Sequence, residues 1–237
     1  MAIQTFPAVP TTDVEREPPP PLENGDHLTA AEFWERYVAT PEDIHAELIE
    51  GVVFMASPIR VKRHSHPSGV IVGWLSVYEA ATPLVQSSSA GTVRLDADNT
   101  VEPDAFLRIE ATAGGQSRIG DDDYLDGAPE LVVEIAASTV SRDLHEKKRA
   151  YRRNGVQEYI VWRTRDRALD WFRLRAGRYE RIEPDADGII HSEVFPGLWL
   201  AADKLLNGDL AGVLAELQKG LATPEHAAFV AKLARRA

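Results

Sequence analysis

The chain of 237 residues contains no cysteine. Disulfides, thiol nucleophiles and Cys-ligated zinc are therefore excluded, and the redox compartment stays open. Long apolar runs are missing too. The longest, over residues 69–78, is too short to span a bilayer. No basic segment followed by an apolar core stands at the start, so no signal peptide is expected. A cytoplasmic location without a membrane partner follows by default. Positive charge is in short supply, with 26 Lys/Arg against 37 Asp/Glu and a net charge of −11. That balance opposes gross attraction to nucleic acid. Gly114-Gly115 is not followed by G-K-[ST], so it makes no phosphate loop. The serines and histidines form no defensible Ser-His-Asp order, and no internal repeat is present.

What remains is ordinary for a globular domain: 44% hydrophobic and 27% charged residues. The charge is uneven. Residues 142–175 hold 11 Lys/Arg and 5 Asp/Glu, a local excess of +6 that leaves about −17 elsewhere. Such a segment is either a phosphate-binding face or a solvated helix and hairpin. Residues 1–25, rich in proline and without a periodic apolar face, read as a disordered tail. Residues 26–200 read as one domain and 201–237 as a helical extension of two amphipathic helices broken near Pro224.

Thr29 and Glu32 form a capping-box pattern for a first helix ending before Pro41. Ala46-Glu47-Leu48-Ile49 and Val52-Val53-Phe54-Met55 read as a hairpin turning at Glu50-Gly51. Residues 67–78 have helical spacing. Short strands follow around Val85, Val93 and Phe106, with a turn over Asp96 to Asn99. Ser141 and Asp143 are candidate caps for a helix ending at Gly155. Strands are expected over 158–163, 168–175 and 179–182, with a short edge strand within 192–200. The order predicts an α/β or α+β arrangement of one mixed sheet with helices packed on it.

The most informative stretch is Leu131-Val132-Val133-Glu134-Ile135-Ala136. It reads as a strand buried on both faces, interrupted by one carboxylate. A buried carboxylate must be paired, hydrogen-bonded or metal-bound. Val132, Glu134 and Ala136 share one face, and Leu131, Val133 and Ile135 the other. Asp104, after Pro103 at the mouth of a strand, and Lys147, on the next helix four residues before Tyr151, could converge on Glu134. Metal-assisted phosphodiester hydrolysis uses such a set. Magnesium or manganese takes one or two carboxylates, here Asp104 and Glu134, with the backbone carbonyl of Ile135 as a further oxygen. Lys147 would then orient water or offset developing charge. His64 and His66 form an H-x-H pair beside Arg60, Lys62 and Arg63; without a third ligand they read as a loop that touches phosphate or nothing. Asp121-Asp122-Asp123 with Asp126 lacks EF-hand spacing and reads as a solvated acidic loop.

Glu102-Pro103-Asp104, Gly127-Ala128-Pro129-Glu130-Leu131-Val132-Val133-Glu134-Ile135, Ser138-Thr139, Asp143, Lys147, Tyr151, Gly155-Val156 and Glu158-Tyr159 occur here in that order. Together they resemble the Uma family of putative restriction endonucleases, in the PD-(D/E)XK nuclease superfamily. Glu47-Leu48-Ile49-Glu50-Gly51 resembles an early motif of that family, with Glu50 where Asp is more usual. The resemblance covers roughly residues 27–200. It implies a restriction-endonuclease-like core, a mixed sheet flanked by helices, with Asp104 and Glu134 binding Mg²⁺ or Mn²⁺ and DNA as substrate. The superfamily expects a lysine two residues after the glutamate, where this chain has Ala136. As in the family, that role passes to the next helix, to Lys147 with Lys148 as fallback. Glu47 corresponds to an additional acidic residue of some of these nucleases. Many superfamily nucleases dimerise to cut both strands, which raises the expectation of a homodimer through the β-rich end at 169–182. The alternative function is a catalytically inactive nuclease-fold binding or regulatory module, favoured by the net charge and the missing strand lysine. A third is a metal-dependent phosphodiesterase for small substrates.

Overall fold

The computed structural model describes residues 18–41 and 43–236. The expected tail falls outside them for its first 17 positions. From Leu22 the chain packs on the body: Leu22 is buried with Phe33, Leu48 and Val53, and the Gly25 amide donates to the Val53 carbonyl at 2.8 Å.

Helix α1 (Ala30–Tyr37) starts with the expected capping box. The Glu32 amide donates to the Thr29 hydroxyl, and the Glu32 carboxylate accepts from the Thr29 amide. Strands β1 (Ala46–Ile49) and β2 (Val52–Met55) form the hairpin. Its turn residues Glu50 (φ 51°) and Gly51 (φ 78°) are both left-handed, as a type I′ turn requires. A π-helical turn (Val61–Ser65) leads into α2 (His66–Ala81). Then come β3 (Val85–Ser88), β4 (Val93–Asp96), β5 (Asn99–Val101), β6 (Ala105–Ile109), β7 (Arg118–Ile119), β8 (Leu125–Asp126) and β9 (Leu131–Ala136). A helical run follows, made of α3 (Val140–Arg142), a second π turn (Asp143–Lys147) and α4 (Lys148–Asn154). It ends on Gly155 in the left-handed region, at φ 82°. Strands β10 (Glu158–Arg163), β11 (Ala168–Arg175), β12 (Arg178–Arg181), β13 (Ile189–His191) and β14 (Trp199–Ala201) precede α5 (Ala202–Leu206), α6 (Leu210–Leu221) and α7 (Pro224–Ala234).

The strands form two six-stranded sheets and a two-stranded ribbon, where the sequence predicts one mixed sheet. The first sheet runs β2-β1-β5-β4-β8-β7 and the second β12-β11-β10-β9-β6-β3. The second is mixed: β9 and β10 are parallel, joined by the helical run, and its other pairs are antiparallel. The first sheet escapes sequence reading because β5, β7 and β8 have only three or two residues, too few for alternation to register. The segment Glu102-Pro103-Asp104 carries the chain from β5 of one sheet to β6 of the other.

Both faces of the second sheet are covered, so β9 is buried throughout. Leu131, Val133 and Ile135 face one core, with α2 and the C-terminal helices. Val132 and Ala136 face the other, with Phe106, Tyr151, Tyr159 and Val161. The C-terminal segment has three helices, and Val213, Leu217, Phe229 and Leu233 lie in the same core as β9. Thr223 caps the last helix, with Pro224 at its first turn. The expected caps Ser141 and Asp143 do not cap. The helix begins earlier, and the Asp143 carboxylate accepts from the Thr139 hydroxyl. Residues 192–200 are mostly the turn joining β13 to β14. That turn is held by Glu158, whose carboxylate accepts from the amides of Glu193 and Val194, the Ser192 hydroxyl and the Trp171 indole.

Burial pushes the Glu158 carboxyl up to about 7. The native state therefore keeps a proton that the unfolded chain releases at lower pH. Stability must fall as pH rises through roughly 4.5 to 7, by up to about 3 kcal/mol. Urea unfolding across that window is expected to show the decline in the parent and a flatter slope in Glu158→Gln; equal slopes would contradict the assignment.

Candidate active site

Asp104 and Glu134 are brought together by strand register. β6 and β9 pair as Ala105↔Val133, Phe106↔Val132 and Leu107↔Leu131. Continuing one step places Asp104 across from Glu134, on the face of Phe106 and Val132. The ladder ends there, and the Asp104 side chain replaces it: Oδ2 accepts from the Ile135 amide at 2.7 Å. Strand alternation sends the Ile135 carbonyl to the same edge as its amide.

The helical run lays Asp143, Lys147 and Tyr151 in an i, i+4, i+8 stripe over that face. Lys147 Nζ lies 2.9 Å from Glu134 Oε1 and 2.7 Å from Glu47 Oε1 of β1. The Tyr151 hydroxyl donates to Glu134 Oε1 at 2.7 Å. Both hydrogen bonds to Glu134 fall on Oε1, so Oε2 is the oxygen available to a cation. Glu47 Oε1 also accepts from the Glu102 amide. From another direction, His64 Nε2 approaches Asp104 Oδ1 at 3.1 Å. His64 and Lys147 each lie in a π turn. Such turns are rare and concentrate at functional sites because the wider turn re-aims a side chain.

Glu134 and Lys147 are each 4% exposed. Burial pushes the Glu134 carboxyl well above the carboxylate range; Lys147 opposes this, while the like charges of Asp143, Asp104 and Glu47 add to it. Burial alone would depress the Lys147 ammonium, but attraction to Glu134, Glu47 and Asp143 outweighs it and holds Lys147 above its ordinary value. The ammonium is therefore charged, and it serves two acidic side chains at once, Glu134 and Glu47. The contact with Asp104 raises His64 against burial, and burial raises Asp143. The cluster is electronegative, as a cation site requires.

The donors suit a hard divalent cation: carboxylates of Asp104 and Glu134 with one carbonyl, completed by water and phosphate oxygens. Among the described residues no three His, Asp or Glu side chains are disposed to hold a metal. Other sequence candidates lie elsewhere. Lys148 Nζ sits 3.2 Å from the Phe172 ring centroid. His66 is exposed at the start of α2. Asp122 and Asp126 clamp the Arg94 guanidinium. Sequence reading set His64 aside for lack of a third ligand, and its partner Asp104 lies forty positions away. Asp143 stood in the motif set but was read as a cap.

The family model described as "Uma2: Putative restriction endonuclease" matches residues 31–203. The chain belongs to the Uma2 family. Among solved structures, a protein described as a putative nuclease belonging to DUF820, from Anabaena variabilis, superposes with a TM-score of 0.53 at 16% identity. The match covers 73% of this chain and 96% of that one. At that identity the likeness speaks for the fold, which this Uma2 chain shares. No curated protein matches it.

Removing the ammonium from this centre leaves Glu134 and Glu47 without their cation. Lys147→Met is expected to lower the unfolding free energy by about 3–5 kcal/mol, and Tyr151→Phe by about 1–3 kcal/mol. Adding Glu134→Gln to Lys147→Met should recover part of the loss. A Lys147→Met protein as stable as the parent in urea would contradict the ion pair.

Proposed function

We propose that this Uma2 protein is an endonuclease that hydrolyses phosphodiester bonds in DNA with Mg²⁺ or Mn²⁺ held by Asp104, Glu134 and the Ile135 carbonyl. The observation that carries the reading is the convergence of Asp104 and Glu134, from two adjacent strands, with Lys147 from the next helix. Family membership supports the same chemistry. When bound, the cation supplies positive charge to the scissile phosphate and makes water a stronger acid.

The chain's own groups do the rest. The Ile135 amide and His64 fix the two oxygens of Asp104. Tyr151 and Lys147 hold Glu134 through Oε1 and turn Oε2 outward. The Lys147 ammonium is a compact cation placed to orient the attacking water or to offset charge building on the phosphoryl oxygens. Water oxygen bonds to phosphorus and releases a proton to solvent, the opposite P–O bond breaks, and the leaving alkoxide takes up a proton from solvent. Lys147 fills on the helix the role that Ala136 cannot fill on the strand. A second copy joining at the open edge β12 would present two centres to two strands.

One observation favours a second reading, a nuclease fold used only for binding. Lys147 is already engaged by Glu134 and Glu47 together. Cleavage of plasmid DNA separates the two. Asp104→Asn and Glu134→Gln are expected to reduce Mg²⁺-dependent cutting by about 100-fold or more, as is Lys147→Ala, while Lys148→Ala cuts like the parent. Equal activity in Glu134→Gln would place the chemistry elsewhere, and a parent inert in both metals would favour the binding module.

A further inference from the structure

The two largest exposures among large apolar side chains are Ile59 at 67% and Val61 at 73%. They alternate with cations. The order is Ile59-Arg60-Val61-Lys62-Arg63-His64, and every residue before His64 in it is exposed. Residues 51–78 contain no Asp or Glu at all, in a chain of net charge −11. Among the described residues no carboxylate pairs with Arg60, Lys62 or Arg63.

The basic excess at 142–175 behaves differently. Arg149 pairs with Glu50, Arg153 with Asp96, Arg163 with Asp166 and Asp170, and Arg173 with Glu180. Those cations balance the acidic body. A cleft of about 360 Å³ beside α4 is lined by Lys148, Arg149 and Arg152, and Lys147 is not among its walls.

The arm is fixed to the catalytic centre. The Arg63 carbonyl accepts from the Thr164 hydroxyl at 2.8 Å, and the Thr164 amide donates to the Ala136 carbonyl at 3.1 Å. Two hydrogen bonds thus connect the arm's root to the strand that carries Glu134. Its next residue, His64, touches Asp104. The structure holds exposed, unpaired cations and unburied apolar side chains against the site where a phosphodiester would be cut. A polyanion with an apolar groove wall complements both, as when a protein places Arg and Lys on phosphates and an aliphatic side chain in the groove.

We propose that residues 59–63 form a duplex-gripping arm: Arg60, Lys62 and Arg63 hold backbone phosphates flanking the scissile bond, and Ile59 and Val61 enter the groove between them. This rests on the nuclease reading of the adjacent centre for its choice of DNA. The arm gives an acidic protein a local means of holding its substrate.

The test is anisotropy of a fluorescein-labelled DNA duplex with the full chain in EDTA, across a salt series. Each phosphate contact contributes about 0.9 to the slope of log affinity against log salt. Replacing Arg60, Lys62 and Arg63 together by serine is expected to weaken binding at least about 10-fold at low salt and to lower the slope by about 2–3. Ile59→Ser with Val61→Ser is expected to weaken binding while leaving the slope unchanged. The proposal is overturned if the triple variant keeps the parent's affinity and slope, or if the parent does not bind the duplex. A parent that binds through the arm yet leaves DNA uncut in Mg²⁺ and Mn²⁺ would defeat the nuclease reading and leave the arm standing.

Discussion

An ammonium buried between two carboxylates holds this molecule together at its functional end. Lys147 reaches Glu134 from one side and Glu47 from the other. Each partner comes from a different layer: Glu134 from the mixed sheet, Glu47 from the first sheet, Lys147 from the helix between β9 and β10. Neither Glu134 nor Lys147, both buried, is stable as an unpaired charge, because an unpaired buried ion costs several kcal/mol. The contact therefore constrains the two sheets and the helical run to one arrangement. Tyr151 and the Tyr159 ring tilted against it, whose hydroxyl donates to the Asp143 carbonyl, keep the helix seated on that face.

The same contact bears on function. One lysine and one histidine face four acidic side chains here, Glu47, Asp104, Glu134 and Asp143. The proposed divalent cation would use that set, beside buried Ala136 where the strand carries no lysine. The π turns at Lys147 and His64 point the same way. Each gives up regular helical hydrogen bonding to aim one side chain at a carboxylate, and tertiary contacts must support such irregularity.

Much of this centre was legible in the sequence, for identifiable reasons. Glu134 stands out because a lone carboxylate in an apolar strand needs a partner. Asp104 is found because it immediately precedes a strand, and Lys147 and Tyr151 because four residues separate them on one helix. The fold class follows from the order of strands and helices, and the family from the ordered motifs. What escaped depends on contacts between distant positions. His64 meets Asp104 from within a π turn, and hydrophobic spacing does not report π turns. The first sheet is hidden in strands of two or three residues. The C-terminal helices read as an extension because amphipathicity shows that a helix packs, not what it packs against. The charge excess at 142–175 left two readings open for the same reason: composition counts cations, and only the fold shows which are paired.

The account turns on whether Asp104 and Glu134 share a cation. The direct measurement is an anomalous difference map from a crystal of the full chain soaked in Mn²⁺. The account predicts a peak between the two carboxylates, about 2.1 Å from an oxygen of each and from the Ile135 carbonyl, with Lys147 still at Glu134 Oε1. No peak at millimolar Mn²⁺, with Lys147 still joining Glu134 to Glu47, would contradict it.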